Sequence, residues 1–184
     1  MPMKKLIAAT ALTAFCGAVS ANTITFKDLD DFGSGVNLNG KQAYTDTFNI
    51  ASGDGGAGDV SGYTKTQYNI DSATAEFWFD VDGTKTAYVK VTLDGAVWKE
   101  GFSGMNDFEI PESGITGRIL EDLQSNGVLT YVVSLSTGTV KSANVKLTSA
   151  ELQANATTVP DGGTTVALLG LGLTGLGFLA RRKA

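Results

Sequence analysis

The stretch AEFWFDVD at residues 75–82 decides the fold class, because its apolar side chains recur at every second position. Phe77, Phe79 and Val81 would share one face of an extended chain, and the residues between them would share the opposite face. Strict alternation over this length is typical of a β-strand with one buried and one solvated side. The stretch therefore predicts a strand in an antiparallel sheet.

The same period of two recurs along the chain, bounded by residues that favour turns. About eight short strands at this spacing predict an all-β protein, built as an antiparallel β-sandwich or jelly roll. The other strong segments are Tyr88–Leu93, Val128–Leu135 and Val145–Thr148, and the weaker ones are Thr23–Lys27, Tyr44–Ile50, Tyr63–Ile70 and Ile115–Leu120.

The connections between these segments carry their own signals. Asp82-Gly83 and Asn126-Gly127 are the strongest hairpin candidates, because both dipeptides accept positive φ. The one helical candidate is Ser113–Gln124, which contains two glycines and is therefore expected to form no more than one turn. Residues 51–62, ASGDGGAGDVSG, cannot bury apolar area and predict a flexible loop.

The composition excludes several kinds of site. The 184 residues include no His, which removes Ser-His-Asp triads and HExxH zinc sites. The formal net charge of −5 argues against nucleic acid as a partner, because that binding depends on Lys and Arg at phosphates. A glycoside hydrolase would need two carboxylates at a set separation, and no pair stands out. We therefore expect no enzymatic activity and assign no catalytic residue.

The N-terminal segment has the three parts of a secretory signal peptide. Lys4 and Lys5 precede an apolar run, and Val19-Ser20-Ala21 is a small-residue cleavage site. The pattern predicts that residues 1–21 are removed after export, with cleavage between Ala21 and Asn22. The only cysteine, Cys16, lies in this segment, so the exported protein is expected to contain no thiol or disulfide.

The C-terminal segment has three parts as well. The sequence Val159-Pro160-Asp161-Gly162-Gly163 is followed by the uncharged run 164–180 and then by three cations, Arg181, Arg182 and Lys183. As a helix, the run would be about 25 Å long, which is short but sufficient for one transmembrane span. The three cations would stop transfer and keep this end in the cytoplasm.

This tail resembles the VPDSG-CTERM variant of the PEP-CTERM sorting signals, with the one departure that Gly162 stands where the family has Ser. The resemblance implies export through the Sec translocon, a transient anchor in the inner membrane and recognition by an exosortase, a membrane cysteine protease. Proteins with such tails are typically associated with the cell surface or the extracellular polysaccharide matrix.

Between the two ends, residues 22–158 form one predicted body with nine basic and eighteen acidic residues, a net charge of −9. Calcium is the metal that loop carboxylates of an exported sandwich would bind, but no acidic group here has the DxDxDG spacing, so no metal ligand is assigned. The acidic groups are Asp28, Asp30 and Asp31; Asp80 and Asp82; and Asp107, Glu109 and Glu112.

The two tryptophans are the side chains best suited to stack on sugar rings or to fill a core. Trp78 alternates with the apolar face of its strand, and Trp98 lies in GAVWKEGFSG, a segment with the composition of a loop. A patch of exposed aromatic rings would favour carbohydrate binding, whereas burial of both rings would favour a purely structural role.

These observations predict three segments: a signal peptide (1–21), a β-sandwich body (22–158) and a sorting signal with one transmembrane helix (159–184). The expected function is that of a non-catalytic, exported surface or matrix protein processed by an exosortase. The alternative is a small carbohydrate-binding module, calcium-dependent or not, sorted by the same route.

Overall fold

The computed structural model describes residues 22–38, 43–53, 55–82, 86–137, 139, 144–159 and 169–173. In the described part of the body there are eight strands and one helix. The elements in chain order are β1 (Thr23–Asn37), β2 (Tyr44–Asn49), β3 (Tyr68–Val81), β4 (Ala87–Leu93), β5 (Ala96–Phe102), β6 (Met105–Ile110), α1 (Arg118–Asn126), β7 (Val128–Leu135) and β8 (Val145–Thr158).

The strands form two four-stranded antiparallel sheets. The first sheet has the order β1-β8-β3-β6 and the second has the order β2-β7-β4-β5. Four of the strand pairs together form one long antiparallel ribbon that rolls up on itself. These pairs are β1 with β8, β2 with β7, β3 with β6 and β4 with β5. This is the strand order of a jelly roll. The predicted all-β class and the two-sheet architecture are confirmed.

The core lies between the inner faces of the two sheets. Phe77, Phe79, Val89, Tyr131 and Val133 each expose 1% or less of their surface, as the period of two predicts. The buried apolar side chains all fall between Phe26 and Ala156 in the described part of the chain. The predicted body therefore contains a complete core of its own.

Two strands form where none was expected, and the predicted strand Ile115–Leu120 leads into α1 instead. The segment around Trp98 was expected to be a loop, but it forms β5, and Met105–Ile110 forms β6. The reason lies in Asp94-Gly95, whose φ angles of 42° and 88° make a two-residue hairpin turn between β4 and β5. The short turn brings β5 back along β4. Backbone pairing with β4 therefore forms the strand, although the apolar alternation of β5 is weak.

The helix is longer than expected, because α1 covers nine residues. The two glycines that argued against it lie outside it: Gly117 is the N-cap residue and Gly114 precedes the helix. Ile119 and Leu123 lie one turn apart and are both buried. Contact with the sandwich stabilises the helix in addition to its local propensity.

Both predicted hairpins are wrong. Gly127 adopts φ 75° as the C-cap of α1, and its N–H donates to the Leu123 carbonyl, so Asn126-Gly127 ends a helix. The segment containing Asp82-Gly83 links β3 in the first sheet to β4 in the second, which do not pair with each other. A dipeptide that accepts positive φ can form a hairpin turn or end a helix. A hairpin forms only where the two flanking segments pair with each other as strands.

Residues 55–62 of the glycine-rich segment make several hydrogen bonds to β1 and within the segment. The Asp59 carboxylate accepts hydrogen bonds from the backbone N–H groups of Leu29 and Gly56, at 3.0 and 2.9 Å. Val60 exchanges two backbone hydrogen bonds with Lys27. The segment therefore covers part of the edge of β1, which would otherwise expose unpaired backbone groups.

The assignment of faces predicts the effect of two truncations. Phe79→Ala should lower the free energy of unfolding by about 3–5 kcal/mol, because it removes buried area and leaves a cavity. Lys90→Ala, on the outer side of β4, should cost less than about 0.5 kcal/mol. Urea denaturation of residues 22–158 measures both. Equal losses in the two variants would contradict the strand register.

Candidate functional site

The sorting motif begins where the body ends. Val159 directly follows β8, and its N–H donates to the Gln67 carbonyl at 2.7 Å. One residue earlier, the Thr158 N–H donates to the Asn22 carbonyl at 3.3 Å. The predicted mature N-terminus and the start of the motif therefore lie side by side at one end of the sandwich, which we call the terminal pole.

Most of the predicted sorting and targeting segments lie outside the described residues. These are the signal peptide 1–21 with Ala21, the motif residues Pro160 to Gly163, and the basic end 181–183. Of the predicted span 164–180, residues 169–173 are described; they are helical, and their three leucines are exposed. Within the described residues, no helix has both the length and the hydropathy needed to cross a membrane.

The first acidic group does not converge on one point, because adjacent positions of a strand face opposite sides. Asp28 and Asp30 point into the sandwich and expose 1% and 7% of their surface, whereas Asp31 is exposed. Asp28 accepts a hydrogen bond from the backbone N–H of Asn49 in β2. These two carboxylates therefore bind protein groups inside the fold.

Asp30 accepts a hydrogen bond of 2.7 Å from the hydroxyl of Tyr131, which is fully buried on β7. The bond joins the first sheet to the second. The Tyr131 ring packs against Phe48 and Phe77, with centroid distances of 4.5 and 5.4 Å. Burial raises the pKa of Tyr131 far above its ordinary value, and the Asp30 carboxylate adds to the rise.

The outer face of the first sheet carries six carboxylates, and we call it the acidic face. Its central row places Glu76 of β3 directly between Glu109 of β6 and Glu151 of β8. The next row places Trp78 between Asp107 and Ser149. The charged residues of the face are Asp31, Glu76, Asp80, Asp107, Glu109 and Glu151, with Lys27 and Lys146.

Like charges are crowded on this face. The pKa of the Glu76 carboxyl is raised, first because burial disfavours its charge and then because of the negative charges of Asp107, Glu151 and Glu109. Lys27 makes an ion pair of 2.7 Å with Glu151 and offsets part of the repulsion. In the third predicted group, Glu112 stands apart and accepts a hydrogen bond from Ser72.

The second predicted group lies at the other end of the sandwich. Asp80 and Asp82 line a shallow pocket of about 210 Å³ together with Val81, Asn144 and Lys146. Lys146 lines the same pocket, and its positive charge would oppose binding of a cation there. In the part of the chain that the structure describes, no three acidic side chains are arranged to hold a metal ion. The absence of a calcium requirement stays a prediction.

The two tryptophans occupy different environments. Trp98, on β5, is half-buried and packs against the core. Its ring also lies beside Gly114, where a Cβ would be 3.4 Å from the Trp98 Nε1. Trp78 is half-buried on the acidic face. The structure therefore does not bring the two rings together, and Trp78 is the one that a ligand on the sheet surface would meet.

The outer face of the second sheet was not singled out by its sequence, and we call it the lysine face. Lys90 of β4 and Lys99 of β5 are direct cross-strand partners, and neither makes an ion pair with a described residue. Tyr88 is 43% exposed, and its ring lies over Gly101, where a Cβ would come within 2.5 Å of it. Among the described residues, this face carries no carboxylate.

The C-terminal segment matches the family model of the VPDSG-CTERM motif over residues 158–183. This confirms the resemblance seen in the sequence: the chain carries the C-terminal sorting signal of exosortase substrates. The signal implies export, association with the cell surface and processing by an exosortase. No curated protein matches the sequence.

Among the solved structures that are similar to this chain, three examples each have a TM-score below 0.5, and none bears on function. The CBM36-1 domain of a multidomain xylanase from the hindgut metagenome of Trinervitermes trinervoides is 11% identical, with a TM-score of 0.39, and the alignment covers 71% of this chain and 96% of that one. FlhE is 12% identical, with a TM-score of 0.32, and the alignment covers 73% of this chain and 97% of that one. A structure of Desmodium yellow mottle tymovirus is 9% identical, with a TM-score of 0.34, and the alignment covers 77% of this chain and 84% of that one.

The bond between Asp30 and Tyr131 predicts an alkaline limit to stability. Unfolded Tyr131 ionises near pH 10, while the folded residue keeps its proton, so stability should fall as the pH rises above about 10. Tyr131→Phe should weaken this dependence and cost about 1–3 kcal/mol at neutral pH through the lost hydrogen bond. Urea denaturation between pH 7 and 11 measures both effects. The control Tyr88→Phe should behave as the wild type.

Proposed function

We propose that this protein is a non-catalytic component of the bacterial cell surface or extracellular matrix, delivered by export, transient anchoring in the inner membrane and exosortase processing. The observation that carries the proposal is the VPDSG-CTERM match at residues 158–183. The Sec translocon and the exosortase are its partners in delivery. The body that is delivered is the jelly-roll sandwich.

The terminal pole supports this route. Because Val159 is bonded to the body and the apolar run begins at residue 164, the intervening motif can extend over no more than about 17 Å. An anchored body would therefore stand with its terminal pole towards the membrane. Asn22 lies at the same pole, so a signal peptide ending at Ala21 would enter the membrane beside the C-terminal anchor.

A second candidate is a small carbohydrate-binding module sorted by the same route. The observation that favours it is Trp78, which lies on an outer sheet face among side chains that can bond to sugar hydroxyls. Retention of residues 22–158 on an immobilised polysaccharide, lost in Trp78→Ala and tested with and without EDTA, would support it. Equal passage of both proteins through the column would count against it.

The sorting route predicts a separation between insertion and processing. In the full chain, replacing Pro160 and Asp161 by Ala should leave membrane insertion intact and stop processing, because the motif is what the exosortase is expected to read. Immunoblots of membrane and extracellular fractions measure this. Ala at Thr164 and Thr165, just beyond the motif, is the matched control and should be processed normally.

Two further sets of substitutions test membrane insertion separately from processing. Leu171→Asp should prevent insertion, at a cost of about 3 kcal/mol for a charge in the apolar run. Neutral residues at positions 181–183 should release the protein from the inner membrane, because these cations oppose translocation. Normal processing of the Pro160 and Asp161 variant would contradict the role of the motif, and unchanged retention in both other variants would contradict the anchor.

A further inference from the structure

The two outer faces of the sandwich carry opposite charge. On the lysine face, Lys90 and Lys99 are opposed across neighbouring strands, where Cβ atoms lie about 5 Å apart. On the acidic face, Glu76 is opposed by a glutamate on each side. Like charges in direct opposition destabilise a sheet, so each face carries an unfavourable arrangement that a surface of the opposite sign would relieve.

Each face also places an aromatic ring beside its charged row. Trp78 lies two residues from Glu76 along β3, and Tyr88 lies two residues from Lys90 along β4. The rest of the lysine face consists of small or short side chains, many of them threonines, that allow close approach. These residues are Thr45, Thr47, Thr92, Val97, Thr130, Val132 and Ser134.

We propose that the lysine face of one molecule binds the acidic face of a second copy, so that successive molecules stack in a row. Charge complementarity supports this assignment. The acidic face, which is opposite in sign to Lys90 and Lys99, is present on every copy and therefore at the same concentration as the lysine face. Contact would place the lysine pair against Glu76 and Glu109, because Glu151 is buried and already paired with Lys27. The proposal concerns the body alone and does not depend on how the chain is sorted.

The net charge of −9 on the body does not prevent this contact. The two sheets are about 10 Å apart, and the outer side chains extend further on both sides. The acidic face of a molecule is therefore separated from its own lysine face by more than the Debye length of about 8 Å at physiological salt. An approaching acidic face is attracted by the lysine pair, while the more distant carboxylates are screened.

The size of the contact predicts a weak association. Four strands at about 4.8 Å spacing and about 24 Å length present about 450 Å² per face, or about 900 Å² in total. Interfaces of this size are transient. Because the two surfaces differ, the contact is heterologous, and it forms an open row of molecules instead of a closed dimer.

Sedimentation velocity of residues 22–158, which contain the complete core, tests the proposal at concentrations up to about 1 mM. At about 50 mM salt the mean sedimentation coefficient should rise steadily with concentration, and at about 500 mM salt it should stay at the monomer value. The variant Lys90→Glu/Lys99→Glu should be monomeric in both. The variant Glu76→Lys/Glu109→Lys should be monomeric too.

The decisive sample is a mixture of these two variants, because the first has two acidic faces and the second keeps its lysine face while its other face is neutralised to four acidic and four basic residues. The mixture should associate at low salt although neither variant does so alone. Lys65→Glu/Arg118→Glu changes the net charge as much as the lysine-face variant but lies outside both faces, and it should associate like the wild type. Circular dichroism establishes that each variant is folded.

Three outcomes would overturn the proposal. The first is a wild-type body that stays monomeric at every concentration and salt. The second is association that survives in Lys90→Glu/Lys99→Glu, or that stops at a dimer. The third is a monomeric wild type whose lysine face binds an acidic polysaccharide such as alginate in affinity electrophoresis, which would assign the face to a different partner.

Discussion

The structure depends on the insertion of the last strand, β8, between β1 and β3. Thr23 pairs with Thr157, and Tyr68 pairs with Thr158, so the first sheet closes only when the end of the body arrives. Contacts of this sequence separation form late and slowly, because the intervening chain must be ordered first. For an exported protein, the body can therefore complete its fold only after β8 has crossed the membrane. The same strand leads directly into the sorting motif.

The two sheets are held together by more than apolar packing. Asp28 and Asp30, on the inner side of β1, accept hydrogen bonds from β2 and β7 of the other sheet. A buried carboxylate costs free energy unless donors satisfy it, so these bonds fix where β1 lies against the second sheet. Asp59 holds the glycine-rich segment against the outer edge of the same strand. The acidic residues thus divide into structural groups inside and a charged surface outside.

The sequence predicts the fold class well because alternation reports which side of a strand is buried, and residues 75–82 state it clearly. It does not predict β5 or the full length of α1, since pairing through Asp94-Gly95 and packing of Ile119 and Leu123 outweigh local composition. It also cannot place residues from different strands together. Glu151 beside Glu76 is a consequence of register between distant strands, and no spacing along the chain reveals it. Lys99 opposite Lys90 follows only once Asp94-Gly95 is known to form a two-residue turn. The sorting signal is predictable because it is read as a linear segment.

The central claim is that the cell exports this sandwich and removes both ends. The most direct test is the intact mass of the protein recovered outside the cells. The account predicts a chain that begins at Asn22 and lacks the apolar run 164–180 with its basic end. A mass corresponding to residues 1–184, or a protein found only in the cytoplasm, would contradict it.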